Sequence, residues 1–155
     1  MKYNISIFWF RRDLRLHDNH GFYNALKESK YVVPIFIFDT SILSELDDKD
    51  LRVSLLFDRL NELNEELTEH SKKIHVLYGK PSEVIDDLYV NTPFDACFTN
   101  TDYEPYATER DGSIHNSLKS KGVDFHSFKD QVIFEKEEIL TDLGKPYGVY
   151  TPYMK

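Results

Sequence analysis

The chain has 155 residues, of which 41% are hydrophobic and 30% charged, and its formal net charge at pH 7 is −8. This composition predicts a soluble globular domain rather than a disordered chain, and no apolar stretch approaches the roughly 20 residues of a membrane span. The excess of acidic side chains argues against a stand-alone nucleic-acid-binding domain, because such surfaces are basic.

The first predicted element is a strand over residues 3–10 that ends in a cluster of charges. Its apolar residues are nearly continuous, which is typical of a strand buried on both faces of a parallel sheet. The sequence RRDLR follows at once, beginning with Arg11, Arg12 and Asp13. Because open α/β sheets bind ligands at the carboxyl ends of their strands, these charges are expected at a ligand site.

Similar apolar, β-branched and aromatic runs predict four more strands, over residues 31–39, 74–78, 96–100 and 123–128. Helical patterns lie between them. Asp18 or Asn19 caps a short helix that runs through Lys27. An amphipathic helix over 51–70 carries a stripe of leucines, a helix over 82–89 has Ser82 as its cap, and a helix over 107–121 ends at Gly122. The leucine stripe consists of Leu51, Leu55, Leu56, Leu60, Leu63 and Leu67.

Five alternations of strand and helix predict an α/β fold, a doubly wound, Rossmann-like, five-stranded parallel sheet. The expected strand order is 3-2-1-4-5, which places the topological switch point between the first and fourth strands. Residues 11–13 then face residues 100–106 at the end of the fourth strand. Asp39, at the end of the second strand, lies next to them.

Several kinds of chemistry are disfavoured by missing motifs. The chain has no G-x-G-x-x-G after its first strand, no phosphate-binding G-x-x-x-x-G-K-[ST], no G-x-S-x-G and no zinc-ligand spacing. His17 and His20 are expected to be solvated rather than metal-bound, so no metal site is predicted. The single cysteine, Cys97, cannot form an internal disulfide, which fits a cytoplasmic location, and it is expected to be a buried core thiol.

The charged residues at the strand ends have both structural and functional interpretations. The arginines and Asp13 form either a salt-bridged loop or part of a ligand site. Asp39 either caps a following helix, with Ser41 sharing that role, or faces the ligand. Asp102 and Glu104 flank a tyrosine and are placed to accept N–H groups from a ligand. Tyr103 and Tyr106 either pack or stack on a flat ring.

The last residues differ from the rest of the chain. Residues 143–155 read LGKPYGVYTPYMK, with two prolines, two glycines and no period of 2 or 3.6. This pattern is typical of a linker that leads to a further domain.

Several separated blocks of the sequence resemble the N-terminal domain of the DNA photolyase/cryptochrome family. They are FWFRRDLRLHDN, PIFIFD, NTDYEPYATERD, FKDQVIF and GKPYGVYTPYMK, in this order and spacing. The resemblance implies an α/β domain over residues 1–130 that holds a light-harvesting antenna chromophore. It implies that residues 131–155 start an interdomain linker, and that the helical domain that binds FAD and damaged DNA is absent from this chain.

The resemblance also implies an antenna site at the strand ends. The expected pigment is methenyltetrahydrofolate, a deazaflavin or FMN, and the sequence DYEPY is closer to the flavin-like pattern than to the folate pattern. Asp13 and Arg15 look more like residues that order the loop and the domain interface. The expected chromophore-binding residues are Arg11, Arg12, Phe38, Asp39, Arg52, Asn100, Asp102 and Glu104, with no catalytic residue among them.

The leading hypothesis is therefore the antenna domain of a deoxyribodipyrimidine photo-lyase, a carbon–carbon lyase. Such an enzyme splits pyrimidine dimers in DNA by electron transfer from excited reduced FAD. The 155 residues alone are expected to be inactive, to meet DNA only through the FAD domain, and to bind no membrane. One alternative is a cryptochrome photoreceptor, and another is a nucleotide-binding regulatory module.

Overall fold

The computed structural model describes residues 1–135 and 137–154, which contain five strands and six helices. In chain order these elements are β1 (Tyr3–Phe10), α1 (His20–Glu28), β2 (Ser29–Asp39), α2 (Thr40–Leu43), α3 (Leu51–Thr68), β3 (His75–Gly79), α4 (Pro81–Asn91), β4 (Ala96–Asn100), α5 (Pro105–Ser120), β5 (Asp124–Phe128) and α6 (Tyr150–Met154).

The five strands form one parallel sheet in the order β3-β2-β1-β4-β5. This confirms the predicted fold class and strand order. The predicted bounds of β1 and β4 are also confirmed, whereas β2 starts two residues earlier than expected, at Ser29. The sequence offers no turn signal there, because α1 passes directly into β2 through an extended Ser29.

Helices cover both faces of the sheet, so the central strands β1, β2 and β4 are largely buried on two sides, whereas the edge strands β3 and β5 are partly exposed. Since successive strand residues point to opposite faces, Phe8 and Phe10 pack with α1 and α3, whereas Trp9 packs with α4 and α5. Each fully buried aromatic side chain contributes about 1.5–3 kcal/mol to stability. Cys97 is buried in the core with Trp9, on the side of the sheet that α4 and α5 cover, as predicted, and burial raises the pKa of its thiol.

The helix starts follow two different chemical rules. Asn19 caps α1, its side-chain oxygen accepting from the N–H of Phe22 at 3.0 Å, whereas the alternative cap Asp18 adopts a left-handed conformation. The prediction that Ser82 caps α4 is wrong, because that helix begins one residue earlier, at Pro81. Proline at the first helical position has a suitable φ and no N–H that needs a cap.

The amphipathic helix is confirmed as α3, but its leucine stripe serves two environments. Leu60, Leu63 and Leu67 in its C-terminal half are buried in the core. In its N-terminal half, Leu51 is 76% exposed and Leu55 is 65% exposed. The stripe therefore leaves the core near the middle of the helix, and its first turns are available to form the wall of a cavity.

The last part of the described chain is mostly irregular. Its short helix α6 was not predicted, since the sequence there has no helical period. Two contacts tie the start of this segment to the sheet's carboxyl edge: the N–H of Thr101 donates to the carbonyl of Phe128 at 2.8 Å, and Arg15 pairs with Asp130 at 2.6 Å.

Candidate functional site

A cavity of about 680 Å³ opens at the carboxyl ends of β1, β2 and β4. The switch point of the sheet lies between β1 and β4. From there the chain adds β2 and β3 on one side of the sheet and β5 on the other. Doubly wound sheets bind their ligands at this place, because the loops diverge there and leave a crevice. The volume lies within the range of small-molecule sites, about 300–1,000 Å³.

One side of the cavity is apolar. Side chains from β2, from α2 and the loop behind it, and from the first turns of α3 form this wall. Several of them are partly exposed although they are aliphatic, which explains why the leucine stripe of α3 begins outside the core. The wall consists of Phe36, Phe38, Ile42, Leu43, Leu46, Val53, Leu55 and Leu56.

The other side of the cavity is polar and comes from the carboxyl ends of β1 and β2, the loop after β4, and α5. It combines guanidinium and carboxylate groups with one phenol and one indole. Its main members are Trp9, Arg11, Arg12, Asp39, Asp102, Glu104, Tyr106 and Arg110, with Arg52 at the start of α3. A planar molecule with an apolar face and a hydrogen-bonding edge matches such a pair of walls.

Arg11 is a buried member of the polar side. Its Nη1 donates to both carboxylate oxygens of Asp111 in α5, at 2.6 and 2.9 Å, and its Nη2 donates to the carbonyl of Asn100. Only 8% of the Arg11 side chain is exposed. The pair therefore ties the end of β1 to α5 and fixes the floor of the cavity, which accords with the structural interpretation of this arginine.

Asp39 caps a helix, as one interpretation of the sequence expected, and it also lines the cavity. Its Oδ1 accepts from the N–H of Ser41 and so caps α2, while its Oδ2 accepts from the hydroxyl of Tyr106 at 2.7 Å. Arg110 lies 3.7 Å from the same oxygen. Burial, together with this hydrogen bond to Asp39, raises the pKa of Tyr106. The phenol therefore remains a donor, and Asp39 holds its ring at the cavity wall.

Arg12, Asp102 and Glu104 meet at the solvent side of the cavity. Arg12 Nη2 contacts Glu104 at 2.5 Å and its Nε contacts Asp102 at 3.5 Å. The hydrogen bond to Glu104 raises the pKa of Arg12. Because Arg12 and Glu104 are each more than half exposed, their pairing is worth only about 0–1 kcal/mol. A ligand that binds to Arg12 or Glu104 can therefore replace this ion pair at little cost in free energy.

Two further predicted residues occupy different surroundings. Arg52 lines the cavity from the first turn of α3 and is bound to the cap residue Asp50 at 2.5 Å. Asn100 does not line the cavity. It is buried beneath the strand ends, where its amide donates to Asp13 and Asn19 and its oxygen accepts from the N–H of Gly21.

The two tyrosines that follow β4 have different positions. Tyr106 lines the cavity, whereas Tyr103 does not. The hydroxyl of Tyr103 is buried without a hydrogen-bond partner among the described residues, and burial with the nearby Glu135 raises its pKa to about 12. Tyr103 therefore packs against the segment after β5, and the stacking interpretation is left to Tyr106.

Sequence reasoning missed several residues of the cavity. Arg110 and Ala107 line it from α5, and Trp9 and the aliphatic residues of α2 complete its walls. A signal for Arg110 exists in the sequence, because it lies one helical turn after Tyr106 and therefore on the same face of α5. Trp9 gives no such signal, since it reads only as one more apolar residue of a buried strand.

Within the parts of the chain that the structure describes, no helix is long and apolar enough to cross a membrane. The same residues contain no group of three or more His, Cys, Asp or Glu side chains arranged to hold a metal ion.

Comparisons with known proteins agree with the fold. The sequence model of one family, described as DNA photolyase, matches residues 6–155. A deoxyribodipyrimidine photo-lyase from Synechococcus sp. is 35% identical over 96% of this chain, which covers 31% of that relative. A second Synechococcus protein, an uncharacterized 31.6 kDa protein, is 35% identical over the whole chain, which covers 55% of it. The chain thus spans about a third to a half of these relatives.

Solved structures show the same architecture. A bacterial class III photolyase from Agrobacterium tumefaciens matches with a TM-score of 0.79 and 26% identity, over 99% of this chain and 31% of that one. An archaeal photolyase from Sulfolobus tokodaii, solved with two FAD molecules, matches with a TM-score of 0.73 and 31% identity, over 86% of this chain and 32% of that one.

Proposed function

This chain belongs to the DNA photolyase family, and we propose that its cavity binds a planar antenna chromophore of the flavin type. The observation that carries this proposal is the cavity itself, which joins an aliphatic and aromatic wall to a polar wall at the switch point of the sheet. The family match favours this function over a nucleotide-binding regulatory module.

The lining of the cavity suits binding better than covalent chemistry. Among the residues that the structure describes, this lining includes no serine, cysteine, histidine or lysine. The lining does hold carboxylates and a phenol, which such catalysis also uses, but Asp39 is bonded to Tyr106, and Asp102 and Glu104 pair with Arg12. A bound antenna pigment supplies the chemistry of light absorption and passes its excitation energy through space. The protein then has only to hold a ring rigidly and keep water away from it.

The residues present fit such a ring. Phe38 and the aliphatic side chains of α2 and α3 offer a flat apolar surface of the kind that packs on an aromatic face. On the opposite side, carboxylates accept N–H groups of a heterocycle and arginines donate to its carbonyls or to a phosphate tail. We assign these polar contacts to Asp102, Glu104, Arg12 and Arg52, and we assign Arg11 and Asn100 to the support beneath them.

The share of the relatives that the chain covers leads to a proposal for the whole protein. Residues 1–130 form the antenna domain, and residues 131–155 begin a linker to an FAD-binding domain. The full-length protein is then a deoxyribodipyrimidine photo-lyase, which repairs pyrimidine dimers by electron transfer from excited reduced FAD. Relatives with that name occur in Synechococcus and Halobacterium salinarum, and they support this proposal. The antenna domain alone is expected to lack lyase activity.

The single tryptophan provides an internal probe of pigment binding. Trp9 is the only tryptophan of the chain and lines the cavity. Titration of the chain with FMN, with a 5-deazaflavin and with methenyltetrahydrofolate is expected to quench its emission by energy transfer, saturably and most tightly for a flavin-type pigment. Rising fluorescence polarisation of the pigment gives an independent measure of the same binding.

Matched variants locate the binding. Asp102→Ala and Glu104→Ala are each expected to weaken affinity by about 10- to 150-fold, since each removes a charge-assisted hydrogen bond of about 1.5–3 kcal/mol. Asp87→Ala is the control, because this exposed acid lies on α4 and outside the cavity. The proposal fails if no pigment binds, or if the three variants weaken binding equally. Tighter binding of the folate would replace the flavin assignment.

A further inference from the structure

Trp9 lies where it is expected to quench the excited state of a bound pigment. Its indole is buried, with 2% exposure, and it lines the cavity. Indole is the side chain that gives up an electron most readily, and the excited states of conjugated heterocycles are strong one-electron oxidants. A tryptophan beside an antenna pigment therefore tends to quench it, which would end the excited state before its energy is passed on.

Two guanidinium groups lie over the Trp9 ring. The central carbon of Arg110 is 4.7 Å from the ring centroid, and that of Arg11 is 5.0 Å away. Both side chains are nearly buried, with 9% and 8% exposure, so solvent screens their charges poorly. A cation over an indole face is attracted to the neutral ring and repelled by the oxidised one.

Two carboxylates hold these guanidiniums: Asp111, and Asp39, whose Oδ2 lies 3.7 Å from Nη1 of Arg110. Asp111 accepts hydrogen bonds from both arginines, through Nη1 of Arg11 and through Nε and Nη2 of Arg110. The carboxylate thus binds the nitrogen edges of the guanidiniums and fixes their orientation. Arg110 also lies 5.6 Å from the ring of Tyr106, the second oxidisable side chain of the wall.

We propose that Arg110, assisted by Arg11, protects the bound pigment from quenching by Trp9. This inference rests on the proposed function of the cavity. In the suppressed step, one electron leaves the indole for the excited pigment and returns in the dark, with no bond or proton changed. The positive charges raise the free energy of the oxidised indole, and this slows the electron transfer. Arg110 and Arg11 are in this sense tuning residues, since neither has to touch the pigment.

The test compares neutral and charged replacements of Arg110. Arg110→Met removes the charge and keeps the apolar stem, whereas Arg110→Lys keeps the charge. FMN is bound to an excess of each protein, and its fluorescence lifetime is measured alongside its affinity. The lifetime in R110M is expected to fall by about threefold or more relative to the unsubstituted chain, while R110K stays close to it.

A rescue variant separates electron donation from altered packing. Combining R110M with Trp9→Phe removes the electron donor, so the lifetime is expected to return to that of the unsubstituted chain. Equal lifetimes in R110M and R110K overturn the inference, as does a short lifetime that persists without Trp9. If R110M does not fold, Arg11→Met gives the same comparison at the second guanidinium. Failure of FMN to bind the unsubstituted chain instead overturns the proposed function, and the inference with it.

Discussion

Gly21 in α1 is packed so closely that a single added methyl group is expected to destabilise the fold. A Cβ built on Gly21 lies 2.5 Å from the side-chain oxygen of Asn100, 3.0 Å from Phe8 and 3.1 Å from the carbonyl of Thr99. The N–H of Gly21 also donates to that Asn100 oxygen at 2.8 Å. Gly21→Ala therefore forces apart α1 and the carboxyl end of β4, where all the neighbouring groups are buried.

The magnitude follows from two costs and one gain. Overpacking a close-packed site costs about 1–3 kcal/mol. Displacing the Asn100 oxygen from its buried donor costs a further ~1–3 kcal/mol. The better helix propensity of alanine returns at most about 1 kcal/mol. The free energy of unfolding is thus expected to fall by about 1–6 kcal/mol, which lowers the melting temperature by roughly 2–4 °C for each kcal/mol in a domain of this size.

Urea denaturation followed by circular dichroism measures this change, and Gly112→Ala is its matched control. Gly112 is exposed in the middle of α5, and no atom lies within 4 Å of a Cβ placed there. That variant is expected to gain up to about 1 kcal/mol from helix propensity alone. If the two alanine variants change stability in the same direction, the close approach of α1 to β4 does not control the effect of a methyl group at Gly21.

Three further predictions concern charged and titratable groups. Arg11→Met is expected to lower the free energy of unfolding by about 2–4 kcal/mol, because it leaves the mostly buried Asp111 with one partner fewer. Arg12→Ala, at an exposed ion pair, is expected to change it by at most about 1 kcal/mol. Similar losses for the two variants in urea denaturation would contradict the assignment of this difference to burial. Burial, together with the nearby Lys2, lowers the pKa of His126, so the unfolded chain binds this proton more tightly and stability is expected to fall as the pH drops below about 6.5. Urea denaturation at pH values of about 7.5 and about 5.5 should show a steeper loss for the unsubstituted chain than for His126→Gln, and equal slopes would refute the assignment. In an alkaline absorbance titration, one tyrosine is expected to ionise with a pKa of about 12, and this ionisation step is expected to be missing from the curve of Tyr103→Phe. An unchanged curve would show that the Tyr103 hydroxyl is not buried.

The topology was predictable because it depends on patterns that local sequence carries. Apolar runs marked every strand, and the charges after Phe10 marked the edge where β1 leaves the sheet. Helix starts were less predictable, because more than one residue near each boundary can satisfy the free N–H groups. At α4 the fixed φ of Pro81 decided the start, and Ser82 became part of the helix instead of its cap.

The site itself was only partly predictable, because its geometry depends on contacts between distant elements. The sequence placed Arg12, Asp102 and Glu104 at one edge of the sheet, and the structure brings these three side chains together. The sequence could not show that Arg11 forms its ion pair with Asp111, one hundred residues away along the chain. Nor could it show that Asn100 turns beneath the cavity, where it orders the start of α1.

A crystal structure of the chain with the pigment that binds most tightly would show whether the crevice at the switch point of the sheet holds a planar pigment. We expect a ring packed between the aliphatic wall of α2 and α3 and the side chain of Tyr106, with Asp102 or Glu104 accepting a hydrogen bond from the ring. A pigment seated elsewhere on the molecule, with the crevice filled only by water, would contradict this expectation.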